Sequence, residues 1–261
     1  MAFVAHPERR PVYIAGASSG IGAASALWFA AAGHPVALAA RRVDKLQELA
    51  DRIVADGGEA VVTALDVTDD DSVRASIAAA QAALGPVEIV VSGAGDLAIG
   101  LSHEMSAAEF TSQIDIHLNG AFRVYRAVVG DMIERGRGDI VFIGSDVTQR
   151  PRPWSSAYVA AKSGVDGLVT TIAMELEGTG VRAGIVRPGQ TLTGMGMNLD
   201  PDATTAMLND WIKFGLARHG NFLAPEHIAQ GIHAMVTMPR GAHMRELEIE
   251  AEGAIERKGN D

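Results

Sequence analysis

Gly16-Ala17-Ser18-Ser19-Gly20-Ile21-Gly22 follows the apolar run Val12-Tyr13-Ile14-Ala15 and opens an Ala-rich segment of helical period. A strand, a glycine turn and a helix in that order form a phosphate-binding arrangement. The glycines permit a tight turn and close approach of the backbone, and the helix start directs unpaired N–H groups at an anion. A pyrophosphate therefore fits against Gly16, Ser18, Ser19, Gly20, Ile21 and Gly22. No Lys-Ser/Thr pair follows the glycines, so the turn is not an NTPase P-loop. Such a turn also occurs in α/β proteins as plain connection, and its position in the first βαβ unit is what gives it meaning.

The alternation continues along the chain. Short apolar or β-branched runs predict strands at 12–15, 36–40, 60–65, 87–92, 139–143, 181–186 and 247–251. Helical periodicity predicts helices at 21–32, 44–55, 70–84, 106–135 and 155–177, with another over 227–238 introduced by Pro225-Glu226. This order implies right-handed crossovers and a parallel sheet covered on both faces. Continuous apolar strands agree with that burial. No linker, charge block or repeat divides the chain, so 1–261 reads as a single α/β domain. The stretch 191–224 has no clear period and carries Gly194, Met195, Gly196, Met197, Met207, Trp211 and Phe214. It reads as an irregular substrate lid, whose apolar residues either line an apolar pocket or serve packing and subunit contact.

The 261 residues are 48% hydrophobic and 21% charged, enough apolar material for a core. With 32 acids against 22 Lys and Arg the formal charge is -10, which argues against a nucleic-acid or membrane surface. Cysteine is absent, which removes disulfides and thiolate nucleophiles. The apolar start Met1 to Ala5 is interrupted at once by His6-Pro7-Glu8-Arg9-Arg10, unlike a secretory signal, and the expected location is cytoplasmic. The histidines form no compact ligand set, so no catalytic metal is expected; His219, His227 and His233 read as surface or capping residues.

Two further constellations carry chemistry. The second strand ends Ala39-Ala40-Arg41-Arg42, where a carboxylate would favour the ribose hydroxyls of NAD and an arginine admits the 2′-phosphate of NADP. Arg41 and Arg42 therefore point to NADP(H), with NAD(H) possible; their bland reading is solvated surface charge. Downstream, Tyr158 and Lys162 stand at i and i+4 of a helix, on one face. A nearby ammonium favours the ionised phenol, so Lys162 is expected to lower the Tyr158 pKa. Ser145 follows the apolar run Ile140 to Ile143, where a strand end would aim its hydroxyl at the same space.

Together these residues resemble the short-chain dehydrogenase/reductase (SDR) family over essentially the full chain. Gly16, Gly20 and Gly22 match its glycine signature, with Ala15 where Thr is common; Asp66-Val67 matches the adenine-contacting pair. Ser92-Gly93-Ala94-Gly95 stands for Asn-Asn-Ala-Gly, Ser145, Tyr158 and Lys162 match the catalytic trio, and Pro188-Gly189 with Thr191 and Thr193 matches the segment at the nicotinamide. The resemblance implies a doubly wound (Rossmann) sheet of about seven strands, NAD(P) binding through these residues, and homotetramers or dimers. It also implies hydride exchange between NADP(H) and a ketone, aldehyde or alcohol. In that scheme Tyr158 is general acid and base, Ser145 positions the oxygen and Lys162 binds ribose. The family's usual Asn falls on His117, which either fills the slot structurally or adds a titrating ring; Asn119, two positions on, is not its equivalent. A cofactor-binding regulator without turnover, and a lyase or epimerase on the same fold, remain alternatives.

Overall fold

Seven short strands lie side by side, all parallel, in the order β3-β2-β1-β4-β5-β6-β7. They are β1 Val12–Ala15, β2 Val36–Ala40, β3 Ala60–Ala64, β4 Ile89–Ser92, β5 Gly138–Ile143, β6 Val181–Pro188 and β7 Glu246–Ile249. The computed structural model describes residues 9–195, 199–217 and 219–253. The readings made at Met1 to Ala5 and at Gly196 and Met197 of the lid fall outside the described residues. Between the strands run α1 Gly20–Ala31, α2 Val43–Ala55, α3 Asp70–Leu84, α4 Ala107–Ile114, α5 Gly120–Glu134 and α6 Ser156–Glu175, followed by α7 Pro201–Lys213 and α8 Pro225–Thr237.

Alternation along the strands explains the two cores. Tyr13, Ala15, Ile140 and Phe142 point to one face and pack with Val124 and Val128 of α5 and Val165 and Val169 of α6. Val12, Ile14, Val141 and Ile143 point to the other, with Phe29 of α1, Leu46 of α2 and Ile232 of α8. A sheet buried on both sides requires apolar residues at every position of its central strands, and β1, β2, β4 and β5 are buried throughout. β3 and β7 are the edges, with partly exposed patterns. Strand order reverses between β1 and β4, the switch point above which open α/β sheets bind ligands.

The opposite, N-terminal end of the sheet is closed by charge. Arg10 and Asp139, both about 3% exposed, form an ion pair that Arg182 joins through Asp139 at 2.6 Å. Glu88 adds contacts to Arg10 (3.5 Å) and Arg137 (2.6 Å).

Two readings of the sequence are corrected. The stretch 191–224 is not irregular throughout: Asp200 caps α7 by accepting from Ala203 N at 2.8 Å, and Pro201 stands in its first turn. The segment 106–135 is not one uniform helix, because 115–119 form a π-turn in which Gly120 N–H reaches Asp115 O. Such an inserted residue redirects side chains locally and frequently marks a functional site. No helix among the described residues is long and apolar enough to cross a membrane.

Candidate active site

The phosphate-binding turn leaves β1 at the switch point. Gly16 has φ +90, and a Cβ there would lie 2.8 Å from the backbone of Gly93 and Ala94, so this turn and the end of β4 meet closely. A Cβ on Gly22 would lie 2.3 Å from Gly16 O, which accounts for the tight seating of α1. Ser19 makes no capping hydrogen bond and no acidic residue occupies the first turn of α1. Those N–H groups suit an anion. Arg42 reaches across from the end of β2 and donates through Nη2 to Ser18 Oγ (2.9 Å) and Ser19 Oγ (2.8 Å). Arg41 is exposed and is not drawn to these hydroxyls, though its charge acts on Asp66.

The other cofactor positions surround the same crevice edge. Asp66 accepts from Thr68 N and Oγ1, and these bonds hold its carboxyl below the ordinary range. Val67 is buried against Gly120, where a Cβ would approach within 2.9 Å. Ser92 ends β4 in register with Ala15. Pro188 ends β6, Gly189 N donates to Ile249 O (2.8 Å), and Thr191 Oγ1 donates to Gly189 O (2.9 Å). Thr193 comes back to the glycine turn, its Cβ 3.0 Å from where a Gly20 Cβ would lie. A bare helix start, an arginine held by two hydroxyls and closely approached glycines fit a phosphorylated dinucleotide.

At the end of β5, Ser145 is nearly extended and its Oγ accepts from Val147 N and donates to Asp146 Oδ1, both at 3.3 Å. Tyr158 and Lys162 rise on one face of α6. Enclosure of the Tyr158 hydroxyl pushes the phenol up to about 12, opposed by its hydrogen bond with Ser145. The Asp146 carboxylate adds to the rise and the Arg152 charge opposes it. Lys162 Nζ donates to Ile143 O at 2.7 Å and lies 5.6 Å from the centre of the Tyr158 ring. Burial pushes the ammonium down to about 8, partly offset by Asp166. The expected lowering of the phenol is not found: burial raises Tyr158 and lowers Lys162, because it penalises both charged forms.

His117 is 2% exposed, edge-on to Tyr158 with ring centres 5.1 Å apart. Its Nε2 stands 2.7 Å from Asp96 O, and Nδ1 finds no hydrogen-bond partner among the described residues. A Cβ on Gly95 would come within 2.5 Å of the ring, so the glycine makes room for it. Burial, then the Lys162 charge, push His117 down to about 3. The reading of a titrating ring near neutrality is overturned; the histidine is a neutral support. Asn119 turns aside to Asp115 (3.0 Å).

Burial also lowers His34 and His233. Their unfolded counterparts, near pKa 6.5, bind protons first as the pH falls. Stability is therefore full above about pH 6.5 and declines below it, by about 1.4 kcal/mol per pH unit for each such ring until its folded pKa is reached. Urea unfolding between neutral and mildly acidic pH measures this slope, and His117→Asn flattens it. An unchanged slope contradicts the assignment. His227 caps α8, its Nδ1 accepting from Ala224 N (3.2 Å).

Two side chains absent from the sequence reading, Asp146 and Arg152, enter the site together with Trp211 of the lid. Asp146 and Arg152 form a buried ion pair beside Ser145. Trp211 of α7 lies over the Arg152 guanidinium, 5.2 Å from its ring centre, and donates to Pro153 O (3.0 Å). The adjacency of Asp146 to Ser145 was the available signal. Among the lid's apolar residues Met195 reaches Gly95, Met207 is buried and Phe214 is exposed. The cleft beyond Asp146 is polar, lined by Arg150, Arg152, Gln190, His219, Asn221 and Glu250.

A doubly wound sheet with an anion-binding turn at its switch point and Ser, Tyr and Lys gathered nearby defines the class of dinucleotide-linked dehydrogenases and reductases. Residues 10–204 match the short chain dehydrogenase family. A glycine betaine reductase of Emericella nidulans is 34% identical over 91% of this chain, although the chain spans only 18% of that protein. A 3-oxoacyl-(acyl-carrier-protein) reductase of Synechocystis is 30% identical, covering 93% of this chain and 95% of its own. The alcohol dehydrogenase of the archaeon Thermococcus sibiricus, complexed with 5-hydroxy-NADP, superimposes with a TM-score of 0.79 at 29% identity, covering 93% and 96% of the two chains. A metagenomic short-chain oxidoreductase in complex with NADP gives 0.78 at 30% identity over 93% and 97%. The chain belongs to the short-chain dehydrogenase/reductase family.

Proposed function

We propose that this protein is an NADP(H)-dependent oxidoreductase interconverting a ketone or aldehyde with an alcohol. The observation that carries the reading is the Ser145–Tyr158 hydroxyl pair with Lys162 on the same helix face, at the C-terminal edge of a sheet whose first turn suits a pyrophosphate. NADPH, when bound, supplies the hydride. Ser145 holds the substrate oxygen, and Tyr158 gives it a proton during reduction or takes one during oxidation. Lys162 is the group for the nicotinamide ribose, and its positive charge favours the phenolate when the proton leaves. A phenol near 12 is a weak acid at rest; its proton moves readily only toward an oxygen acquiring negative charge, which matches a reduction step. A screen of ketones and aldehydes for NADPH consumption tests this, beginning with small polar compounds because the adjoining cleft is polar.

Preference for the phosphorylated cofactor is assigned to Arg42. Its guanidinium, already held by Ser18 and Ser19, is placed to pair with a 2′-phosphate. Arg42→Ala is expected to weaken NADPH binding by about tenfold to a hundredfold, the worth of roughly 1.5–3 kcal/mol for a charged hydrogen bond, and to leave NADH nearly unchanged. Fluorescence titration with both cofactors measures it, and equal losses for the two would reject the role. Assembly as a homodimer or homotetramer belongs to the same reading, supported by exposed Phe110, Phe122 and Met174 on α4, α5 and α6; light scattering measures it.

A further inference from the structure

We propose that Asp146 and Arg152 are positioning residues for the Ser145–Tyr158 hydroxyl pair, and that Trp211 of the lid helix holds them in place. The inference rests on the oxidoreductase reading above. Asp146 follows Ser145 directly, and its Oδ1 receives the Ser145 hydroxyl at 3.3 Å. Arg152 clasps the same carboxylate with both terminal nitrogens, one at 3.2 Å and the other closer. The side chains are only 7% and 9% exposed, so neither charge is sustained by bulk water. An ion pair this enclosed depends on its geometry, and removing either member leaves a buried charge uncompensated.

The pair is fastened from above. Trp211 covers the guanidinium, its indole N–H holds Pro153 O, and Trp154 Nε1 donates to Asp210 Oδ2 at 2.8 Å. Trp154 adopts φ +71, unusual for a side chain with a Cβ, and its carbonyl is fixed by Gly100 N (2.9 Å). A backbone held in that conformation, with two indoles clamped between segment and lid helix, indicates a strap whose position is determined by several contacts at once. The strap begins at Asp146 and ends where α6 brings up Tyr158. Displacement of α7 would therefore reach Arg152, then Asp146, then the Ser145 hydroxyl.

Tyr158 meets Lys162 on its own helix, His117 from the π-turn, and Asp146 and Arg152 from the strap; Asp166 acts on it only through Lys162. On its far side Asp146 faces the cleft with Arg150, paired with Glu250 at 2.6 Å, and His219. Of these, Asp146 opposes ionisation of the phenol and Arg152 favours it. Intact, the two act against each other on the phenol; separated, they move it in opposite directions.

The test uses the full chain with isotope-labelled tyrosine Cζ. Only Tyr13, Tyr125 and Tyr158 contribute signals, and Tyr158→Phe identifies the third. Asp146→Asn is expected to bring the Tyr158 titration to lower pH than in the wild type, and Arg152→Met to higher pH. Arg152→Lys keeps the charge and leaves the titration near the wild-type value. In the NADPH assay, Asp146→Asn, Arg152→Met and Trp211→Leu are expected to lower kcat by about tenfold to a hundredfold through misplacement of the hydroxyls, with NADPH affinity unchanged. Arg152→Lys should recover part of that loss. Titrations that coincide with the wild type, or shift the same way in both charge variants, overturn the inference even if the wild type turns over. If Asp146→Asn does not fold, an unshifted Arg152→Met is sufficient to overturn it. Wild-type protein without NADPH turnover defeats the oxidoreductase reading alone, since the titration needs no substrate.

Discussion

Tyr158→Phe is expected to reduce turnover by about a hundredfold to ten-thousandfold, the range for loss of a positioned general acid, while NADPH affinity stays within a few-fold of the wild type. The substitution removes one oxygen from a half-buried ring and leaves the ring's edge contact with His117 and its proximity to Lys162 intact. Ser145 would retain its bonds to Val147 and Asp146, so the oxygen site persists without its proton donor. Because the phosphate-binding turn follows β1 and Arg42 follows β2, away from the Tyr158 hydroxyl, the fold and the phosphate end should not respond. Steady-state kinetics with parallel cofactor titration separates the two effects. Residual activity above about a tenth of the wild type would mean another group moves the proton.

The largest expected effect on stability lies at the other end of the sheet. Asp139→Ala leaves Arg10 and Arg182 without the carboxylate that both engage. Arg10 would retain Val236 O at 3.0 Å and the longer contact with Glu88, but neither carboxylate nor water would replace Asp139 in a position about 3% exposed. Breaking a buried pair in this way costs about 3–5 kcal/mol. Urea denaturation should show that loss, with Asp139→Asn intermediate because it keeps an acceptor. A loss below about 1 kcal/mol, the worth of an exposed pair, would show that the cluster is not electrostatically coupled to folding. The cluster stands at the N-terminal ends of β1, β4, β5 and β6, so NADPH affinity of the folded variant should remain.

Much of this architecture was legible in the residues. Buried parallel strands need unbroken apolar runs, and Val36–Ala40 and Val12–Ala15 have no polar residue to obscure their ends. The glycines at 16 and 22 announced close backbone contacts that the structure contains. Ser145, Tyr158 and Lys162 converge as their spacing on a strand end and one helix face required. What escaped the sequence depended on distance rather than order. Trp211 and Arg152 meet only through the path of the lid, and α7 has a capping Asp200 and Pro201 that were outweighed by the glycines and methionines around them. The π-turn at 115–119 escaped the reading of 106–135 as one helix, since five residues are too short a window for a change of period to show. Nor could spacing alone give the balance at Tyr158. Lys162 stands near the phenol as expected, yet burial, which no linear pattern records, has the greater effect on both groups.

His117 illustrates the same limit in one residue. Its ring type allowed titration near neutrality, but enclosure beside Gly95 and the Lys162 charge hold it neutral. Its contribution is shape: it fixes the Asp96 carbonyl and backs the Tyr158 ring.

The most direct test of the account is the stoichiometry of NADPH oxidation against product formed, followed by absorbance and chromatography over a panel of small ketones and aldehydes. At least one carbonyl compound is expected to be reduced to its alcohol with one NADPH consumed per product, at a rate that Tyr158→Phe lowers by about a hundredfold or more. Tight NADPH binding without net oxidation across the panel, or product formed with the cofactor returned unchanged, would contradict it.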